Sequence, residues 1–334
     1  MQALMCHAWG PIDQLRVEEV ADPHPGPGQA VVDVHAASVN FPDALIVQGS
    51  YQVKPALPFS PGAELAGVVR EVAADVTHVK PGDRVIAFPG YGAFAQRCLV
   101  EAARLMPLPA EMDFDTGASF MLTYGTSIHG LRTIGKLQAG ETLLVLGAAG
   151  GVGLAAIEIA RAMGANVIAG ASSDQRLELC RAHGAQTTIN YSTEDLRARI
   201  DELTARRGVD MVYDPVGGSL AETALRATAW RGRYLVVGFA AGEIPKIALN
   251  LALLRERAIL GVFWGDAMRR EPALLNNDIK TLVGWFQEAR FAPIFRSGSV
   301  SLARPTRSRG WQTVRSSARS SFFRNPKKEN HAHD

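Results

Sequence analysis

The sequence predicts an α/β protein of two domains, a β-rich portion followed by a doubly wound parallel sheet. Three observations predict it. A chain of 334 residues exceeds what one ordinary core organises. Up to about residue 120, short alternating apolar stretches are cut by Pro- and Gly-bearing turns. From Asp115 the rhythm changes, and strand-length apolar runs alternate with helix-length amphipathic ones.

In the first portion AVVDVHAASV, ELAGVVREVA and GDRVIAF alternate like strands, and DPHPGPGQ, LPFSPGAE, VKPGD and FPGYG supply the turns. An antiparallel barrel or sandwich fits that spacing. FDTGASFMLTYGTSIHGLRTI then opens a helix, with Asp113 or Asp115 available as its cap. Strand TLLVLG leads into helix GGVGLAAIEIARAMG, NVIAGAS into DQRLELCRAHG, and TTINY into TEDLRARIDELTARRG. VDMVYDPVG leads into LAETALRATAWRG, and RYLVVGF follows as a strand. Repeated βα units with apolar strands predict a parallel sheet over 122–262. Met163, Met211 and Trp230 read as core.

Within that sheet, Gly147, Gly150 and Gly153 follow a buried strand and open a helix. Glycine lets backbone approach a pyrophosphate, and the helix start offers unpaired N–H groups and a positive dipole end. Ala148 stands where the strict G-x-G-x-x-G fingerprint has its first glycine. An NAD site wants an acid at the tip of the second strand. Here that tip reads Ala171, Ser172, Ser173, with Asp174 next and Arg176 beyond. Asp174 fits the ribose acid and fits a helix cap, and the cap is the preferred reading. Ser172 and Arg176 suit a 2′-phosphate, with Tyr191 as a further hydroxyl donor. The pattern favours NADPH.

Composition narrows the classes. The hydrophobic content of 47% and charged content of 20% are those of a globular chain. No apolar run reaches the roughly 18 residues that span a bilayer, and MQALMCHAWG has no signal-peptide pattern. Cys6, Cys98 and Cys180 are far apart, which offers neither a disulfide framework nor closely spaced zinc ligands. A cytoplasmic location is expected. From Arg304 onward there are eight basic and two acidic residues, so the preceding 303 residues are net acidic. Nucleic-acid binding would rest on that basic tail alone.

The chain resembles the zinc-independent quinone oxidoreductases of the medium-chain dehydrogenase/reductase superfamily. The resemblance rests on AASVNFPDALIVQGSY, LPFSPGAELAGVV, VKPGDRV, GAAGGVG, INY, VYDPVGG and VVGFAAG, and runs from residue 1 to about 297. It implies a GroES-like catalytic domain over 1–121 and 263–334, interrupted by a Rossmann-type cofactor domain over 122–262. It implies an active site in the cleft between them, and a homodimer joined through an edge of the cofactor-domain sheet. It carries the cofactor contacts onto Asn40, Asp43, Thr126, Gly150, Gly151, Val152, Ser172, Arg176, Tyr191 and Phe239, with Phe263 and Trp264 near the nicotinamide. Tyr51, Asn40 and Asp43 become the catalytic candidates, Tyr51 on the substrate side. Each has a plainer reading: Asn40 and Asp43 as a turn, Tyr51, Phe263 and Trp264 as packing.

Zinc-dependent relatives carry a Cys in the early loop and a Gly-His-Glu segment. Here NFPD and Gly62-Ala63-Glu64 stand in those places, and the histidines show no ligand spacing. Without a metal to polarise a carbonyl, the fitting acceptor is already electron-poor: a quinone or an α,β-unsaturated carbonyl. An enoyl-CoA reductase is the enzymatic alternative, with Arg231, Arg233, Arg255 and Arg257 as charge for the CoA phosphates or as an ordinary solvated face. A nucleotide-binding protein with little catalysis is the alternative of another class.

The end of the chain breaks the pattern. Family members finish with a helix and a strand, often containing Gly-Lys-Ile/Val-Val-Leu, whereas residues 298–334 are rich in Ser and Arg without apolar periodicity, which predicts disorder. Ser317 to Arg324 can be encoded TCG GCA AGA TCG TCC TTT TTC CGN. Read from the third nucleotide, this gives Gly-Lys-Ile-Val-Leu-Phe-Pro. A frameshift near residues 296–303 is therefore expected.

Overall fold

The structure, a computed structural model, describes residues 1–291, so the expectations for the tail and its frameshift lie outside the described residues. Met1–Ser119 form one compact unit and residues 120–291 a second.

In the first unit, β1 (Gln2–Met5) and β2 (Arg16–Glu19) pair antiparallel. A five-stranded antiparallel sheet follows, built from β3 (Gln29–Ala37), β4 (Leu65–Val72), β5 (Arg84–Ala87), β6 (Arg97–Glu101) and β7 (Leu105–Pro107), in the order β6-β3-β4-β5-β7. Val32, Val34, Leu65, Val69, Val85, Val100 and Leu105 form its buried core. Gly67 lets β4 lie close on β3, because a Cβ there would sit 2.1 Å from the Asp33 carbonyl. After β3 the chain turns into helix α1 (Phe41–Val47), with Asn40 as N-cap and proline in the first turn. Ile46 and Val47 of α1 are buried with Cys6 and Phe59, each aliphatic side chain contributing roughly 1.5–3 kcal/mol by leaving water.

The helix expected from Phe114 divides at Ser119. Asp113 caps α2 (Phe114–Ala118), accepting the Thr116 N–H at 2.7 Å, and α3 (Phe120–Ile128) begins the second unit.

The second unit holds β8 (Thr142–Val145), β9 (Asn166–Ala171), β10 (Thr187–Asn190), β11 (Val209–Asp214), β12 (Thr228–Val236) and β13 (Ala258–Gly261). All pair in parallel in the order β10-β9-β8-β11-β12-β13. Helices α4 (Gly151–Ala162), α5 (Asp174–Ala182), α6 (Leu196–Leu203) and α7 (Leu220–Arg226) connect successive strands, and α8 (Asn250–Leu253) lies between β12 and β13. From neighbouring β8 and β11 the chain proceeds to next strands toward opposite edges of the sheet, the switch point where such folds bind ligands.

Two details depart from the sequence reading. The helix expected through LAETALRATAWRG stops at Arg226, because β12 already starts at Thr228, paired with Val209. A register shift then loops out the residues before Arg233, Arg231 takes a φ of 57°, and Trp230 is 58% exposed instead of core. Helices α9 (Trp264–Arg270) and α10 (Pro272–Gln287), assigned from sequence to the first domain, belong with the second unit. Buried Asp278 of α10 accepts from Thr133 Oγ1 at 2.9 Å, and Phe286 packs edge-on against Phe120. Among the described residues no helix is long and apolar enough to cross a membrane.

Candidate functional site

The glycine turn of the second unit is built by volume exclusion. Gly147 has a φ of 55°, and a Cβ on it would meet Val216 Cγ2 at 2.6 Å. A Cβ on Gly153 would lie 2.6 Å from the Ala148 carbonyl oxygen and 2.7 Å from Ala148 Cα, so α4 packs directly on the turn. Gly150 is the N-cap of α4 and offers no side chain to it, so the N–H groups of the first turn are left for another acceptor. Gly151 is exposed and Val152 half-buried. Behind the helix start, buried Ser127 donates to the Val152 carbonyl at 3.0 Å and lies 3.0 Å from the Tyr213 hydroxyl. Thr126 is half-buried beside it on α3.

On the β11 side, Asp214 Oδ1 accepts the N–H groups of Val216 and Gly217 at 2.7 and 2.9 Å, while Oδ2 accepts the Tyr234 hydroxyl. This pins the loop that packs against Gly147. Phe239, half-buried, lies against Gly217 and lines a mostly apolar cavity with Tyr234, Val236, Ile244 and Ile259.

At the tip of β9 the structure brings Ser172, Arg176 and Tyr191 together. Arg176 Nη1 donates to Ser172 Oγ at 2.7 Å, and both are accessible. Burial raises the Tyr191 phenol, while the Arg176 charge and a hydrogen bond with Ser172 hold it down. Asp174 is not the cap expected from sequence. Ser173 takes that position, and Asp174 is the first helical residue, its Oδ1 accepting from Asn190 Nδ2 at 2.9 Å. A carboxylate in the first turn still meets the helix dipole favourably.

The first unit carries a second cluster. Glu64, fully buried, accepts from the Ser38 hydroxyl and from Asn40 Nδ2 at 3.0 Å, and Asn40 Nδ2 also donates to Ser38 Oγ at 2.8 Å. Asp43 Oδ2 accepts the Asn40 N–H at 2.7 Å, the reciprocal bond of a capping box. Burial, with the Glu64 charge adding to it, pushes the Asp43 carboxyl up to about 7, against the pull of the Asn40 N–H. Tyr51 is half-buried against the Ile46–Phe59 cluster, and its phenol is raised by burial and by Asp43. Asn40 and Asp43 thus do build the turn, and Asp43 is in addition a buried carboxyl, which a turn does not need.

Phe263 is 48% exposed, whereas Trp264 is buried with its indole where a Cβ on Gly125 would be, 2.5 Å away. The sequence did not single out Ser38, Asp214 or Asn190; an acid at a strand end before Gly-Gly was the available signal for Asp214. Nor did it reveal the buried Tyr124–Glu158–His183 chain, in which His183 Nδ1 lies 2.8 Å from Glu158.

The donor set does not fit zinc. Asn40 and Ala63 stand in the stretches where a Cys or His would be needed, Glu64 is engaged with Ser38 and Asn40, and among the described residues no three His, Cys, Asp or Glu side chains gather. An anionic dinucleotide does fit the second unit: a side-chain-free helix start, and an accessible Arg–Ser pair at the tip of β9.

Residues 151–287 match the family described as Zinc-binding dehydrogenase, and residues 26–110 the Alcohol dehydrogenase GroES-like domain. Quinone oxidoreductase-like protein 2 of Rattus norvegicus is 38% identical over 84% of this chain and 80% of its own length. Among solved structures, a Pseudomonas syringae quinone oxidoreductase is 31% identical with a TM-score of 0.82, covering 87% of this chain and 90% of its own. The Escherichia coli quinone oxidoreductase complexed with NADPH is 28% identical with a TM-score of 0.81, covering 89% and 91%.

Proposed function

The chain belongs to the quinone oxidoreductases of the medium-chain dehydrogenase/reductase superfamily, and from that membership we propose that it is an NADPH-dependent, zinc-independent reductase of quinones or related α,β-unsaturated carbonyls. The observation that carries the cofactor is the tip of β9, where Ser172 and Arg176 meet at 2.7 Å and an NAD site would present an acid. NADPH, when bound, supplies the hydride. Gly151 and Val152 offer backbone N–H groups to its pyrophosphate, Gly150, its own N–H bonded to the Gly147 carbonyl at 2.9 Å, leaves room beside them, and Ser172, Arg176 and Tyr191 take its 2′-phosphate.

Thr126, Phe239 and Phe263 are assigned to its remaining length, and Trp264 supports α3 by packing. Asn40 and Asp43 are assigned to the nicotinamide-ribose end. Tyr51 orients the acceptor oxygen; with its phenol raised above the ordinary value, it keeps the proton that oxygen needs. The residues' remaining task is to position the acceptor and exclude water.

The enoyl-CoA alternative needs arginines free for phosphates. Arg231 pairs with Glu256, Arg233 with Glu141, and Arg257, buried, donates to the carbonyls of Arg226, Thr228 and Leu251, so of the four arginines Arg255, exposed, is the one left to face a CoA phosphate. Further parts of the reading are a cytoplasmic location, supported by three buried free thiols, and a homodimer through β13. The dimer is supported by Ile259 on that edge strand and by Leu249, Leu253 and Leu254, all exposed.

The test is a substrate panel on folded protein: NADPH or NADH, each with a 1,4-quinone or crotonyl-CoA. Faster oxidation of NADPH than NADH, with the quinone as better acceptor, is expected. Crotonyl-CoA outpacing the quinone would overturn the acceptor assignment, and NADPH binding without turnover would leave a nucleotide-binding protein.

A further inference from the structure

We infer that Asn190 is a specificity-determining positioning residue: it ties back Asp174, the carboxylate at the start of α5, so that Ser172 and Arg176 are left to receive a 2′-phosphate. The inference rests on the NADPH reading above and deepens it. Asp174 lies two residues from Ser172 and two from Arg176, on the element a 2′-substituted ribose would approach. Left free, a carboxylate there would repel a dianionic phosphate and would offer an acceptor to an unmodified ribose hydroxyl. The chain therefore carries, side by side, the residue type that suits NADH and the types that suit NADPH.

The geometry shows how the conflict is resolved. Asn190 ends β10 and is 6% exposed. Its Nδ2 donates to Asp174 Oδ1 at 2.9 Å, its Oδ1 accepts the Ser192 N–H at 3.2 Å, and its own N–H donates to Glu194 Oε1 at 2.7 Å. The Ser192 N–H can only donate, so it fixes which end of the amide is oxygen; the NH₂ end must then face Asp174. An aspartate at 190 could not make both bonds. Arg176 is no competing partner for Asp174, since positions two apart on a helix do not face each other; it reaches back to Ser172 instead.

The test is calorimetric binding of adenosine 2′,5′-bisphosphate and of 5′-AMP to the full chain, which needs no turnover. Wild type is expected to bind the bisphosphate more tightly; if it does not, the NADPH reading itself fails. Asn190→Ala is expected to weaken the bisphosphate about tenfold and leave 5′-AMP unchanged or tighter. Adding Asp174→Asn to Asn190→Ala is expected to restore the bisphosphate affinity, which a purely structural role for Asn190 would not produce. Asp174→Asn alone, at an exposed position, is expected to change it less than about twofold, because the carboxylate is already held. A double variant as weak as Asn190→Ala overturns the inference. So does a large gain from Asp174→Asn alone, and that arm decides the matter even where Asn190→Ala does not fold.

Discussion

The two candidate regions are made of opposite materials. In the second unit the cradle proposed for the phosphates is backbone: three glycines, an uncapped helix start, and side chains only at the accessible rim. In the first unit the cluster is side chain: Ser38, Asn40, Asp43 and Glu64, with both carboxylates buried. A backbone site is sensitive to added volume and indifferent to charge at its core positions. A buried polar site is sensitive to charge and to each lost partner, because unpaired groups in low dielectric cost most. Adding volume to one and removing charge from the other separates them.

The largest effect is expected at Gly153. Its missing Cβ would fall 2.6–2.7 Å from backbone atoms of Gly147 and Ala148, which cannot swing away as a side-chain end could. Gly153→Val is expected to cost more than about 3 kcal/mol and lower Tm by roughly 10 °C, with loss of adenosine 2′,5′-bisphosphate binding. Gly265→Ala is the control. That glycine sits in α9, and a methyl added to it would meet nothing within 4 Å, so a neutral or slightly stabilising change is expected. Equal losses at both would show that the turn is not volume-limited.

The first unit is expected to announce itself through pH. The unfolded chain releases the Asp43 proton near 3.8, whereas the folded chain holds it to about 7. The contribution is therefore fully present below about pH 4 and is lost as pH rises through about 7, a change of roughly 4 kcal/mol at most. Asp43→Asn should flatten the pH dependence of the urea midpoint across that window; an unchanged slope would assign it to other groups. Glu64→Ala removes the acceptor of Ser38 and Asn40 and is expected to cost about 2–3 kcal/mol at pH 7. It also removes the charge that helps raise Asp43, so the midpoint of the same slope should move toward acid.

The contrast also explains what the sequence made legible. Ser172 and Arg176 are four residues apart across a strand end and a helix start, so local periodicity alone brings them together. Glycines before a helix carry their conformational reason with them. Ser38 and Glu64 are 26 residues apart, at the end of β3 and just before β4, and only the antiparallel register opposing Ala37 and Leu65 joins them. Asn190 and Asp174 meet because β10 lies parallel beside β9, again a property of the sheet and not of either segment. Trp230 departs from its sequence reading for the same reason: an apolar residue looks like core until a register shift turns it outward.

The smallest stability effect, and the sharpest functional one, is expected at Arg176. Its guanidinium is exposed and bonds to Ser172, so Arg176→Ala should change stability by less than about 0.5 kcal/mol. Against a 2′-phosphate the same side chain offers charge-assisted hydrogen bonds, and its loss should weaken NADPH about tenfold while leaving NADH within about twofold. Ser172→Ala, which removes one neutral hydroxyl, should do the same to a lesser degree. Measured together, they ask whether rim side chains or the backbone cradle set the preference. A preference that falls with Arg176 assigns selectivity to the rim and affinity common to both dinucleotides to the glycines. A preference that survives Arg176→Ala would shift the selectivity to Tyr191 and the geometry of the strand tip.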